Sequence, residues 1–363
     1  MNGKKLIALL LSILLALSLA GCSGQRDDPG ESGSSAAGTT EEQTTVPQTN
    51  EDGSLVKPKN AVTVSDDTQV IVHSDTYLLE IGDRLMEQYG NAYQKMAIYA
   101  EDLNKLKTQL PDAKVYCLMA PTAVEFYAPA KYNSGMSKSQ YEGISYIYER
   151  LNNITPVDAY TEIAAHTDEY LYFRSDHHWT QRGAYYAYLA FAKSAGLTPV
   201  NKDDLQTGRL SPFLGSLYKE NKTAALENNP DYVEYFMPPV NTTAIASDKD
   251  AAMTDSYSIK VINTEITSSN KYLAFVGGDH GVVKITTDAQ SERSIVVIKE
   301  SYANAFVPWL CANYRTIYVL DPRQLTVNLS DFVKTNSIGE VLFLNYMYIP
   351  TNAKFMTALE EMG

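Results

Sequence analysis

Cysteine is scarce in this chain, with three in 363 residues, too few to build a disulfide scaffold. Positive charge is short as well: 30 lysines and arginines face 43 acids, a formal net charge of −13. No basic block follows the first few residues, which excludes nucleic acid as a partner and leaves the acidity to serve solubility. There is no internal repeat. No apolar run reaches the roughly 20 residues that a membrane-crossing helix needs.

Lys4 and Lys5 precede a charge-free, mostly apolar run from Leu6 to Ala20, which ends in Leu19-Ala20-Gly21-Cys22. That order of basic, apolar and small residues predicts a signal peptide over residues 1–21. It resembles the bacterial lipoprotein signal, and the resemblance implies that the Cys22 thiol is acylated. The mature chain is then lipid-anchored on the extracytoplasmic face of the cell membrane, since two or three acyl chains anchor stably where one does not. From Ser23 to Ser54 Val46 is the one large apolar residue and no aromatic occurs. Such a segment cannot offset its ordering entropy, so residues 22–57 read as a flexible linker behind the lipidated cysteine.

Residues 58–363 carry the apolar content of a folded domain. Cys117 and Cys311 each lie in an apolar run and read as buried free thiols. Nearly continuous apolar runs at 114–119, 294–299, 316–320 and 340–344 predict strands buried on both faces of a sheet. Helical spacing predicts helices over 84–110, 139–152, 181–195, 304–313, 326–334 and 352–362. The alternation predicts an α/β fold with a doubly wound, mostly parallel sheet. Residues from about 205 to 290, rich in Asn, Asp and Thr, read as an irregular, partly antiparallel insertion beside the site.

Two segments carry the chemistry. Asp176-His177-His178-Trp179 holds two of the five histidines beside an acid, and Thr180 follows as a cap for the next helix. On an extended segment, residues two apart share a face, which would aim Asp176 and His178 into one site and His177 elsewhere. The second segment is the strand 294–299 running into Glu300-Ser301-Tyr302-Ala303-Asn304. A serine at the carboxyl end of a buried strand can be a nucleophile, and amides of the following turn can hold an oxyanion, worth about 3 kcal/mol per donor. His178 as base and Asp176 as its orienting acid would complete a triad with Ser301.

Asp-His-His-Trp-Thr followed by Gly-Ala, and a later strand ending in Lys-Glu-Ser-Tyr-Ala-Asn, resemble the DHHW protein family. That family is similar to the SGNH-hydrolase-like domain of the alginate O-acetyltransferases. The resemblance implies catalytic roles for Ser301, His178 and Asp176, with the serine last, a permuted order relative to standard SGNH hydrolases. It implies an O-acetyltransferase or acetylesterase acting on cell-surface polysaccharide. Its partners would be the glycan, a membrane acyl-donor protein and the membrane itself, with no cofactor and no metal.

Smaller expectations attach to neighbouring residues. Asn304 is either an oxyanion donor or an N-cap. Tyr302 and Arg174 are candidate substrate contacts, against packing for the first and a salt bridge for the second. Arg182 has the same two readings as Arg174. The Gly277-Gly278-Asp279-His280-Gly281 run reads as a tight turn before it reads as a ligand loop, and 26 tyrosines suit either packing or sugar stacking. Two other classes stay open: a metal site from Asp176, His177 and His178, and a non-catalytic glycan-binding or scaffolding lipoprotein of the cell envelope.

Overall fold

The computed structural model describes residues 62–132 and 139–363. The expected signal peptide, Cys22 and the linker 22–57 lie outside the described residues. The described chain opens with a three-stranded antiparallel sheet of β1 (Ile71–His73), β2 (Leu78–Ile81) and β3 (Arg84–Glu87). Here the expected helix over 84–110 is corrected. Residues 84–87 pair with β2 and the helix spans Tyr93–Thr108. Leu85 and Met86 are both buried, as in a strand covered on both faces, and Gly90 in the intervening loop is a poor helix former.

Next come β4 (Lys114–Ala120) and β5 (Thr155–Pro156), then β6 (Thr207–Phe213) and β7 (Asp231–Phe236), which form a separate antiparallel pair. After β8 (Thr242–Ser247), β9 (Tyr257–Ile259) and β10 (Val282–Thr287) follow β11 (Ser294–Lys299), β12 (Thr316–Leu320) and β13 (Glu340–Tyr346). The main sheet has eight strands in the order β5-β4-β13-β11-β12-β10-β8-β9. The first five are mutually parallel and the last three antiparallel. Residues 205–290 thus supply β6 and β7 and extend the main sheet through β8, β9 and β10.

Side-chain pattern explains this division. Every residue of β4 after Lys114 is buried, as are Ile295 to Lys299 in β11, because layers cover both faces there. β10 alternates towards solvent at Lys284 and Thr286, as an antiparallel strand with one wetter face can. Cys117 and Cys311 are free and buried. Among the described residues no helix is long and apolar enough to cross a membrane.

The helix Gln181–Ala195 buries Ala184, Ala187, Tyr188 and Phe191. Thr180 caps it, its Oγ1 accepting from the Gly183 N–H, and Gly196 ends it at φ 63°. Gly183 is required for a different reason: a Cβ there would lie 2.2 Å from the Leu171 carbonyl oxygen. The expected helix over 304–313 is corrected to a 3-10 turn, Ser301–Ala305, and a short helix, Val307–Leu310. Pro308 has no N–H to donate and suits only a first turn.

Candidate active site

Residues 172–180 form a tight loop. Tyr172 pairs with Trp179 in an isolated antiparallel bridge, and the Thr180 N–H reaches the Leu171 carbonyl at 2.8 Å. The loop is pinned from below by Asp231 at the start of β7. That buried carboxylate accepts from the N–H groups of Arg174 (2.9 Å) and Ser175 (2.7 Å), from Ser175 Oγ (2.5 Å) and from Tyr170 Oη (2.6 Å). So many donors let a charge stay buried.

Inside the loop, Asp176 Oδ1 accepts from the His178 N–H (3.0 Å) and lies 2.6 Å from His178 Nδ1, while Oδ2 accepts from the Ser216 N–H at 2.8 Å. Burial pushes the Asp176 carboxyl up, but the His178 ring, its hydrogen bond, His177 and the Ser216 amide together hold it well below the usual carboxylate range. His178 Nε2 lies 2.8 Å from Ser301 Oγ. Asp176 and His178 are 5% and 6% exposed, whereas Ser301 keeps partial access to solvent. A partly open hydroxyl bonded to an imidazole, itself bonded to a buried carboxylate, is an arrangement that can make a serine nucleophilic.

The serine turn is built from β11 and its neighbours. Glu300 is buried; its Oε2 accepts from the Tyr302 N–H (2.8 Å) and its Oε1 from the Tyr346 N–H at the end of β13 (3.0 Å). Burial pushes this carboxyl up to about 7 against the pull of those amides. The Ala303 N–H goes to the Glu300 carbonyl. Two amides of the turn expected to serve an oxyanion are therefore already occupied. The two chemical segments also grip each other: Trp179 Nε1 donates to the Tyr302 carbonyl (2.7 Å) and Tyr302 Oη to the His177 carbonyl (2.8 Å).

Several sequence expectations change here. His177 does not point elsewhere: its ring lies 3.8 Å from that of His178, and its Nδ1 is 2.6 Å from Ser216 Oγ. The loop is not an extended strand, so period two fails. Burial, followed by the neighbouring His178, lowers the His177 pKa. Tyr302 is completely buried and its hydroxyl is engaged, which makes it packing rather than a substrate contact. Arg174 pairs with Asp231 and Asp83 and donates to the carbonyls of Asn229 and Pro230. Arg182 pairs with Glu169 and Glu234. Both arginines are thus held in salt bridges. Asn304 is no N-cap; it sits inside the 3-10 turn and its Nδ2 donates to Asp279 Oδ1 at 3.0 Å.

Asp279 shows what the glycine-rich turn does. Gly277 and Gly278 have φ of 77° and 105°, a conformation glycine takes without strain. Asp279 thereby reaches Lys299 Nζ (2.7 Å) and Arg323 (2.7 Å), and Arg323 also binds Asp321. Lys299 and Asp321 are buried while Asp279 and Arg323 are partly exposed, so this charge cluster is a half-buried brace beside the serine turn. Among the described residues, Asp176, His177 and His178 form the group that could hold a metal, with one donor atom from each within 4.8 Å of the others. The Asp176–His178 and His177–Ser216 hydrogen bonds already engage those side chains.

Fold and site together define a mixed α/β protein with a large, mostly parallel sheet, in which Ser301, just past the carboxyl end of β11, is joined by hydrogen bonds to His178 and Asp176 of the loop 172–180. The DHHW protein family matches residues 41–320. The chain belongs to that family. A DHHW family protein from Eubacterium siraeum is 29% identical, with 80% of this chain and 97% of that one covered and a TM-score of 0.71. PatB1 from Bacillus cereus, in a structure with a sulfonyl adduct, is 19% identical over 77% of this chain and 98% of its own, with a TM-score of 0.61. At that identity the likeness is one of fold. The O-acetyltransferase domain of AlgJ from Pseudomonas putida gives 13% identity and a TM-score of 0.43, covering 81% of this chain and 99% of the domain. No curated protein matches significantly.

Proposed function

We propose that this protein is an acyl-transfer enzyme, an O-acetyltransferase or acetylesterase of cell-surface polysaccharide, with Ser301 as nucleophile, His178 as base and Asp176 as the acid that orients it. The observation that carries this reading is the unbroken hydrogen-bond chain from Ser301 Oγ to His178 Nε2 (2.8 Å) and from His178 Nδ1 to Asp176 Oδ1 (2.6 Å). In the first half-reaction Ser301 Oγ attacks the acyl carbonyl carbon and its proton passes to His178 Nε2. The resulting imidazolium is balanced by Asp176, held ionised far below neutral pH. Collapse of the tetrahedral intermediate breaks the bond to the donor's oxygen, which takes the proton from His178. A sugar hydroxyl or water then attacks the acyl-enzyme with His178 as base, which restores the free serine. The Tyr302 and Ala303 N–H groups are taken, so the oxyanion would be met by other donors of the site, the Ser301 N–H being the one on the nucleophile itself.

The envelope setting rests on the lipoprotein signal, with lipidated Cys22 as anchor, and the glycan acceptor on family resemblance. The test is acetate release from 4-nitrophenyl acetate and labelling of Ser301 by a sulfonyl fluoride, read by mass spectrometry. Wild type should show both and S301A neither while remaining folded. Wild type and S301A both folded and both inactive would leave only a glycan-binding or scaffolding role.

A further inference from the structure

His178 is held on more than its two nitrogens. The Tyr272 ring stacks on it at a centroid distance of 4.0 Å and an interplanar angle of 15°, while His177 lies 3.8 Å from it. Two rings cannot occupy one face at such distances, so the imidazole is sandwiched between them. The same tyrosine reaches the nucleophile: Tyr272 Oη donates to the Ser301 carbonyl at 2.9 Å and lies 3.2 Å from the Tyr302 carbonyl. Tyr272 comes from a third part of the chain, the 3-10 turn Lys271–Ala274, and its own ring is fixed edge-on by Phe173 and Phe275. Burial, with the nearby charge of Asp176, pushes its phenol well above the usual range, so it remains a donor.

We propose that Tyr272 is a positioning residue for acyl transfer, holding the plane of the His178 ring through its face and the backbone of Ser301 through its hydroxyl. This rests on the Ser301–His178 reading given above. One rigid side chain touches both the ring of the base, on the face away from His177, and the backbone of the nucleophile, so it fixes the gap between them. Hydrogen bonds at Nδ1 and Nε2 define the ring's in-plane direction, but each tolerates some tilt. The stack removes that tilt. The bond from Tyr272 to the Ser301 carbonyl ties down the backbone that carries Oγ, which lies 2.8 Å from His178 Nε2. A displacement on the order of 1 Å at a reacting group can cost about 100-fold in rate.

The experiment uses the whole protein with Tyr272→Phe, which keeps the stack and loses the hydroxyl, and Tyr272→Leu, which loses both. Hydrolysis of 4-nitrophenyl acetate and the rate of sulfonyl labelling at Ser301 are measured, with thermal unfolding as the check on folding. Expected are a kcat about 10-fold lower in Y272F and about 100-fold lower in Y272L, with little change in KM. Adding Y272F to His178→Ala should cause no further loss, because the hydroxyl acts by keeping Ser301 Oγ on the His178 ring, a contact that His178→Ala has already removed. Wild-type kcat in Y272F would overturn the proposal even if Y272L fails to fold. Equal proportional losses with and without His178 would also overturn it, since they mark a general packing defect. Failure of the underlying enzyme reading looks different: wild type and S301A would then be equally inactive.

Discussion

The backbone of Gly215 lies so close against Asp176 that a Cβ added there would sit 2.2 Å from Asp176 Cβ and 2.3 Å from its Oδ2. This is a packing demand, since Gly215 has a φ of −86° that any residue can adopt. Gly215→Ala must therefore push the carboxylate and, through its hydrogen bond, the His178 ring. We expect kcat/KM to fall on the order of 100-fold, with a smaller loss of thermal stability. Full activity in a folded G215A protein would show that the carboxylate's position is not critical.

Asp176→Asn keeps the side chain's shape but replaces an acceptor that serves His178 Nδ1, the His178 N–H and the Ser216 N–H. An amide can offer its NH2 to the ring and favour the wrong tautomer, so kcat should drop about 10³- to 10⁴-fold. Sulfonyl labelling of Ser301 should slow in parallel. The sign of the pH effect follows from the depressed carboxyl. Its stabilisation is complete above the ordinary carboxylate range and is lost only as pH falls through the lower folded value. An acid limb in the wild-type rate near neutral pH would belong to another group.

Much of this was readable before the structure, for a physical reason. The strands at 294–299 and 316–320 stand out because burial on both faces leaves a run of apolar residues with no alternation, and the helix Gln181–Ala195 because Thr180 and Gly196 mark its ends. What was not readable depends on contacts remote in sequence. Asp231, Gly215, Ser216, Glu300 and Tyr272 each act on the site through a bond or close approach that no local period announces. Glu300 sat beside the serine, but nothing in the sequence shows that its side chain turns back onto two amides. His177 was misassigned because a period of two belongs to strands, and residues 172–180 form a closed loop. The strand Arg84–Glu87 reads as the start of a helix because its two consecutive buried residues show no strand alternation.

Arg174 tests the separation of support from chemistry. Its guanidinium binds Asp231 at 3.0 Å and also Asp83. Arg174→Met strips Asp231, whose side chain is 0% exposed, of its cationic partner. The other donors remain, so we expect the protein to fold but to lose on the order of 3 kcal/mol in urea unfolding. At a temperature where R174M is folded, KM for a small acetyl ester should be unchanged. A raised KM with full stability would instead make Arg174 a substrate contact.

Glu300 supplies the final prediction, in which the pH sign runs opposite to that of Asp176. Burial raises its carboxyl from 4.5 to about 7, because the interior penalises the charge more than the Tyr302 and Tyr346 amides favour it. A carboxyl raised on folding contributes stability that is fully present below its unfolded value and is lost as pH rises through the folded one. Between about pH 4.5 and 7 the wild type should therefore lose roughly 3 kcal/mol from this residue. Glu125, raised to about 7 chiefly by burial, adds a loss in the same window. Glu300→Gln cannot ionise, so the drop in unfolding free energy between about pH 5 and pH 8 should shrink by that order, while the Glu125 share persists. The variant should also turn over more slowly, because an amide cannot accept from both N–H groups and one end of the serine turn is released. Parallel stability curves for E300Q and wild type would mean that Glu300 carries the same charge in the folded and unfolded chains.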